Sequence, residues 1–235
     1  MAQPTIVSVN IGGVETFAAP DGRPLTTGIR KQPVDGRFLG RDGFPGDASS
    51  EADHHTPARA LHLFSEENYG PLEASLGLTL PRPGFGENLT TAGMLDQDVC
   101  VGDLYRAGAA LFRVTQPTER CRTIGRSLGV PKILKMLHAM EACGFYASVV
   151  EPGLVSAGDR IELQERPRPM WCVRRLHRVM FRELADARVI ADVRRIPELA
   201  EEWKRRLEVM CERSRRGEPL NSSLGEVAAL DGPEA

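Results

Sequence analysis

Between residues 165 and 170 the sequence changes its period, and that change limits the folds open to it. Ahead of it, short apolar runs at 5–13, 59–64, 98–108, 110–117, 145–153 and 159–165 carry β-branched residues and stop at Gly, Pro or Asp, the mark of strands joined by tight turns. Behind it the glycines almost vanish. Apolar residues there recur at spacings of three and four: Val173, Leu176 and Met180; then Val189, Ile190, Val193 and Ile196; then Leu199, Trp203, Leu207 and Met210. That spacing predicts three short amphipathic helices, which survive only by packing on one another. The joining segment "ERPRP" (165–169) holds two prolines, which exclude helix and stiffen the link.

The predicted organisation is therefore a mainly β unit over 1–165, a three-helix unit over 170–216 and a mobile tail over 217–235. Many short strands with tight turns suggest a small barrel or a sandwich. Two helices interrupt the strands. Ser65 can cap one over "SEENYGPLEASLGL", where Gly70-Pro71 is expected to break continuity. Pro131 opens the other, whose apolar face is Ile133, Leu134, Leu137 and Met140, with Gly144 at the expected stop.

With 26% charged and 41% hydrophobic residues, the chain has the composition of an ordinary globular protein. Its net charge of −2 is unevenly spread, because residues 166–216 hold 15 Lys and Arg against 8 Asp and Glu. Such a stretch is read in one of two ways: solvated helix faces laced with ion pairs, or a docking surface for an acidic partner. Interleaved acids and few aromatic residues argue against nucleic acid as that partner. No run approaches the ~18 apolar residues of a membrane span, and the N-terminus shows no basic-then-apolar leader. A cytoplasmic protein without membrane contact is expected. Five cysteines, at 100, 121, 143, 172 and 211, include no CxxC pair, so neither a disulfide framework nor a thiolate zinc site is indicated.

Cys121 differs from the other four. They lie in apolar periodic runs and read as small buried hydrophobes, whereas "VTQPTERCRTIG" (114–125) runs out of a strand into a polar turn that flanks Cys121 with Arg120 and Arg122. Guanidinium neighbours stabilise a thiolate, which suits a soft metal or a nucleophile. Two further stretches are polar and loop-like. In "GFGENLTTAGM" (84–94), Glu87 and Asn88 follow a Gly-x-Gly turn and could offer fixed donors and acceptors to a polar heterocycle; a tight loop capped by Asn88 is the plainer reading. In "GDASSEADHHTPARALHLFS" (46–65), His54 and His55 are adjacent and so point to opposite sides of an extended chain, which disfavours a shared ion. Arg59, which follows, suits an anion such as a cofactor phosphate.

Taken in order, "IVSVNIGG", "GIRKQPVDGR" (28–37), "GFGENLTTAGM", "VGDLYRAG", "RVTQPTERC" and "GFYASVVEPGLVSAGDRIEL" resemble the MOSC domain family, in its bacterial stand-alone hydroxylaminopurine reductase type with a C-terminal three-helix appendage. The resemblance implies a mainly β fold with added α, namely a MOSC-type β-barrel with peripheral helices and a small C-terminal three-helix domain. It implies a molybdenum cofactor (Mo-pterin), with Cys121 as catalytic residue and protein ligand to molybdenum. His54, His55, Arg59, Glu87, Asn88 and Gln116 become candidates to line the cofactor site, and Arg120 and Arg122 to offset its charge. Where the family usually reads His-Gly-Gly-Pro-Asp, this chain has "HHTPA" (54–58). Where it often has a proline before the cysteine and a lysine two after, this chain has Arg120 and Thr123.

The implied activity is reduction of N-hydroxylated compounds, such as hydroxylaminopurine-type bases, to amines. No flavin, haem or iron–sulfur motif is present, so the electrons come from a partner, with a flavoprotein or ferredoxin-type donor suited to the basic helices. The alternative is a non-catalytic carrier in which Cys121 holds sulfur or passes on the molybdenum cofactor.

Overall fold

The computed structural model describes residues 3–48, 56–181 and 186–218. The strands are β1 Thr5–Ile11, β2 Glu15–Ala18, β3 Pro24–Thr27, β4 Gln32–Val34, β5 Arg37–Leu39, β6 Leu61–Ser65, β7 Leu89–Ala92, β8 Leu104–Ala107, β9 Ala110–Pro117, β10 Phe145–Glu151, β11 Gly153–Val155 and β12 Ile161–Glu165. The helices are α1 Tyr69–Leu76, α2 Arg122–Leu128, α3 Ile133–Met140, α4 Val173–Phe181, α5 Ala187–Arg194 and α6 Glu201–Arg215. Eight strands form one sheet in the order β12-β8-β9-β10-β6-β7-β1-β4, and β11-β5 and β2-β3 form two small ribbons. The predicted tail begins at 217 and lies almost wholly outside the described residues.

The mainly β architecture with peripheral helices agrees with the sequence, but the sheet is not a closed barrel. Its ends do approach: Thr5 bridges Arg160, and Ile6 N donates to Asp159 O over 2.9 Å. No ladder follows, for a geometric reason. The edge of β1 away from β7 is divided, residues 9–11 pairing with β4 and residues 4–6 bonding 158–161, where Gly158 N donates to Ile6 O and Ile161 N to Pro4 O (both 2.8 Å). Too little free edge is left to extend the contact.

One apolar cluster fills the curl of the sheet, with Ile6, Leu61, Phe112 and Phe145 at its centre, and continues without a break into Leu176, Val193 and Trp203 of the C-terminal helices. These helices thus pack on the sheet as well as on one another. Backbone bonds fasten them there: Val173 N donates to Val99 O (2.8 Å), and Ala200 N to Thr115 O (3.2 Å). Burying each large side chain contributes about 1.5–3 kcal/mol. A second cluster, including Phe64, Tyr69, Phe85, Ile124 and Leu137, lies beneath α1–α3.

Two helix expectations need correction. Gly70 and Pro71 do not break α1, because they stand in its first turn, where backbone N–H groups have no intrahelical acceptor to lose. Ser65 makes no side-chain cap; its hydroxyl bonds Glu67 Oε2 over 2.5 Å.

Candidate functional site

β9 is buried almost throughout and pairs with β10 along most of its length. Just past its end, Thr118 N still donates to Gly144 O (2.9 Å). The chain then turns sharply. Arg120 is buried, Cys121 is exposed, and Cys121 becomes the N-cap of α2 with extended backbone angles. The sequence placed Cys121 on a loop leaving a sheet; the structure gives it a strand-to-helix junction. The helix has no clear local signature, because its N-cap Cys121 makes no side-chain capping bond to the first-turn N–H groups and Gly125 stands in its interior.

Cys121 stands on the wall of a cavity of about 140 Å3. Arg59, Asn88 and Arg120 line it too, so four of the predicted residues converge there. Lys31, Asp47, His62 and Tyr146 are also part of its polar lining, as are the acids Asp42 and Glu119. Glu87 and Gln116 are fully buried just outside the lining, and Arg122 is exposed and also outside it. His54 and His55 lie outside the described residues.

The floor is a cross-strand row. Tyr146 on β10 lies opposite His62 on β6 and Gln116 on β9, and directly opposed residues share a face of the sheet. His62 and Tyr146 rings are 5.1 Å apart. Burial pushes the Tyr146 phenol upward, so it keeps its proton. Both amide atoms of Gln116 are buried without a hydrogen-bond partner among the described residues, and so is the Thr118 hydroxyl. Unsatisfied buried polar groups cost about 1–3 kcal/mol each and call for an explanation such as a ligand or ordered water.

One wall is a brace centred on Asn88. Its side-chain oxygen accepts from His62 N (3.1 Å), and its nitrogen donates to Asp47 Oδ2 (2.8 Å). The other Asp47 oxygen accepts from Gly12 N (2.9 Å) and is ion-paired with Lys31. Burial pushes the Lys31 ammonium down, against the opposing pull of Asp47. Glu87 supports the next turn, accepting from Tyr69 Oη (2.5 Å), Phe85 N (3.0 Å) and Thr90 Oγ1 (3.1 Å). Burial raises its carboxyl. Glu87 is thus a structural acid behind the cavity.

Arg120 sits between wall and core. Its Nη1 donates to Phe85 O (3.0 Å), and its guanidinium lies 5.2 and 5.7 Å from the Phe64 and Phe85 ring centres. Nε and Nη2 have no acceptor among the described residues. At the opposite edge Arg59 pairs with Glu202, and Glu119 with Arg206. Two residues of the cavity lining are therefore tied to α6. Lys31, His62 and Tyr146 escaped sequence reading because only long-range strand pairing brings them to Cys121.

Comparison with known proteins is consistent with this geometry. A family model described as "MOSC domain" matches residues 50–162. Protein YiiM of Escherichia coli is 33% identical over 168 residues, 68% of this chain and 72% of that protein. Uncharacterized protein YflK of Bacillus subtilis is 31% identical over 202 residues, 85% of this chain and 91% of that one. A Gibberella moniliformis protein named "Reductase" is 30% identical over 200 residues, and the chain spans 35% of its length. The crystal structure of YiiM from Geobacillus stearothermophilus superposes with a TM-score of 0.74 at 26% identity, covering 88% of this chain and 98% of that one.

Proposed function

From its membership of the MOSC domain family, to which this chain belongs, we propose that it is a molybdenum cofactor-dependent reductase of N-hydroxylated compounds, with Cys121 as the protein ligand to the metal. The observation that carries the reading is the pairing of an exposed thiol at a cavity wall with a buried, incompletely bonded guanidinium one residue away. A soft thiolate suits a sulfur-ligated transition metal. Lys31 and Arg59 are already paired with Asp47 and Glu202, so Arg120, whose Nε and Nη2 have no acceptor among the described residues, is the lining cation best suited to an anionic pterin phosphate. The residues present therefore fit the cofactor.

Bound there, the cofactor would supply a two-electron reduction in which an N-hydroxylamine, two protons and two electrons become an amine and water. The chain's own contribution is to hold and orient. Arg120 would direct its free N–H donors at anionic cofactor atoms, and the Asn88–Asp47–Lys31 brace would keep the wall in place. Tyr146, kept protonated by burial, would offer its O–H as a donor rather than act as a base. Electrons would come from a flavoprotein or ferredoxin-type partner. The fungal relative named as a reductase supports the reaction type.

Exposure of Cys121 also suits a carrier that only holds sulfur or the cofactor, and turnover separates the two. Cofactor-loaded protein given a chemically reduced dye and a hydroxylaminopurine should form the aminopurine catalytically, and the Cys121→Ser protein should not. Loaded protein that forms none with any N-hydroxylated base would leave the carrier reading in its place.

A further inference from the structure

Away from the Cys121 cavity, three side chains with metal-ligating atoms meet in the interior. His138 lies in the last turn of α3, Cys143 in the turn before β10, and His177 in the middle of α4. Their ligand atoms all lie within 4.8 Å of one another. None is open to solvent, their exposures being 8%, 0% and 1%. Nδ1 of His138 is 2.9 Å from Nε2 of His177, and the Phe181 ring closes over both imidazoles with centroids 4.8 and 4.5 Å away.

We propose that His138, Cys143 and His177 form a buried site for one zinc-class divalent ion that fastens α4 to α3. Two imidazoles and one thiolate are a borderline-soft donor set of the kind that selects zinc over magnesium or calcium. Zinc–nitrogen and zinc–sulfur bonds of about 2.0–2.1 and 2.3 Å place tetrahedral ligand atoms roughly 3.3–3.6 Å apart. The present spacings bracket that range, with the two ring nitrogens slightly too close and the 4.8 Å limit slightly too wide. Small side-chain rotations reach it.

The backbone holds Cys143 for this role. Glu141 has a positive φ of 55°, rare for a residue with a side chain, and its carboxylate accepts from Arg178 Nε on α4 (2.7 Å). Such local strain persists only where its surroundings impose it. Beyond that bend, Asp96 Oδ1 accepts from both Cys143 N (3.0 Å) and Gly144 N (2.8 Å). The thiol is thus aimed at the two imidazoles by bonds that do not depend on an ion. Binding would replace the S–H bond by a metal–sulfur bond and release that proton to water.

The test must set aside the exposed thiol at 121, so it uses Cys121→Ser protein, purified without metal-affinity resin, loaded with zinc and desalted against a chelator. About one zinc per chain should remain, and adding Cys143→Ser or His177→Gln should reduce it at least tenfold. Should those variants fail to fold, cobalt titration of the metal-free Cys121→Ser protein decides instead. A near-ultraviolet thiolate-to-cobalt band saturating at one equivalent supports the site. No retained zinc and no such band, or equal zinc in the Cys143→Ser protein, would overturn it. Molybdenum plays no part in these measurements, so they stand apart from the proposed function.

Discussion

Arg120 and Cys121 are consecutive residues of one cavity lining with opposite surroundings: Arg120 is 4% exposed, while Cys121 is open to solvent. Burying a cation whose Nε and Nη2 have no acceptor among the described residues is costly. The arrangement makes sense if an anion completes it.

Arg120→Met should therefore fold yet lose cofactor. Each charge-assisted hydrogen bond contributes about 1.5–3 kcal/mol, so retention should fall by at least about tenfold. Molybdenum remaining after gel filtration, with circular dichroism as a control, provides the measurement. Unchanged retention would remove Arg120 from the cofactor's surroundings.

Asn88 is a brace whose loss should be felt without any cofactor. Asn88→Ala removes the side-chain oxygen that accepts from the buried His62 N–H and the amide that donates to Asp47 Oδ2. A destabilisation of about 1–3 kcal/mol is expected in urea unfolding of cofactor-free protein. A change below a few tenths would show that water substitutes freely.

Gly43 and Gly46 lie three residues apart and provide a controlled pair. Both have positive φ, 103° and 89°. A Cβ at Gly43 would stand 2.6 Å from Ala60 O, whereas one at Gly46 meets nothing within 4 Å. Gly46→Ala should cost only the left-handed backbone penalty, about 1–2 kcal/mol. Gly43→Ala should cost clearly more, because a backbone carbonyl must move. Equal midpoints would contradict the close approach.

Glu73 gives a pH dependence with a defined sign. Hydrogen bonds from Arg82 and from Leu80 N hold its carboxyl at about 2, below the ordinary value of 4.5. A depressed acid contributes stability that is complete above about 4.5 and lost as pH falls towards about 2. Glu73→Gln should flatten that part of the stability–pH curve, read from urea midpoints across the acid range. Parallel curves for the two proteins would refute the pairing.

Legibility in the sequence followed the range of the interactions. The helices over 173–215 were readable because Leu176, Met180, Trp203 and Leu207 repeat at helical spacing, and all are buried. β9 was readable as a long apolar run closed by Pro117. The ribbon strands β2 and β3 were not, since each is only four residues long, too short for a period to stand out, and β2 is mostly exposed. Cys121, Arg120, Asn88 and Arg59 stood out because charged or polar residues in turn-rich stretches are visible locally. Lys31, His62 and Tyr146 reach the cavity through pairings that no local pattern encodes, and His138 meets His177 across 39 residues. Many of the basic residues over 166–216 proved to be ion-paired: Arg168 with Glu198, Arg178 with Glu141, Arg194 with Glu208. A donor-docking test by mutation is cleaner at Arg195, whose pair with Asp192 is long (3.5 Å) and exposed on both sides, than at Arg178, which is bonded to the buried Glu141.

The central claim concerns one sulfur atom. Elemental analysis of protein made in a host competent for cofactor synthesis, comparing the parent with Cys121→Ser, tests it most directly. The expected result is about one molybdenum per parent chain and a loss of most of it in the variant at unchanged fold. Equal molybdenum in both proteins would contradict a role for Cys121 as the metal's ligand.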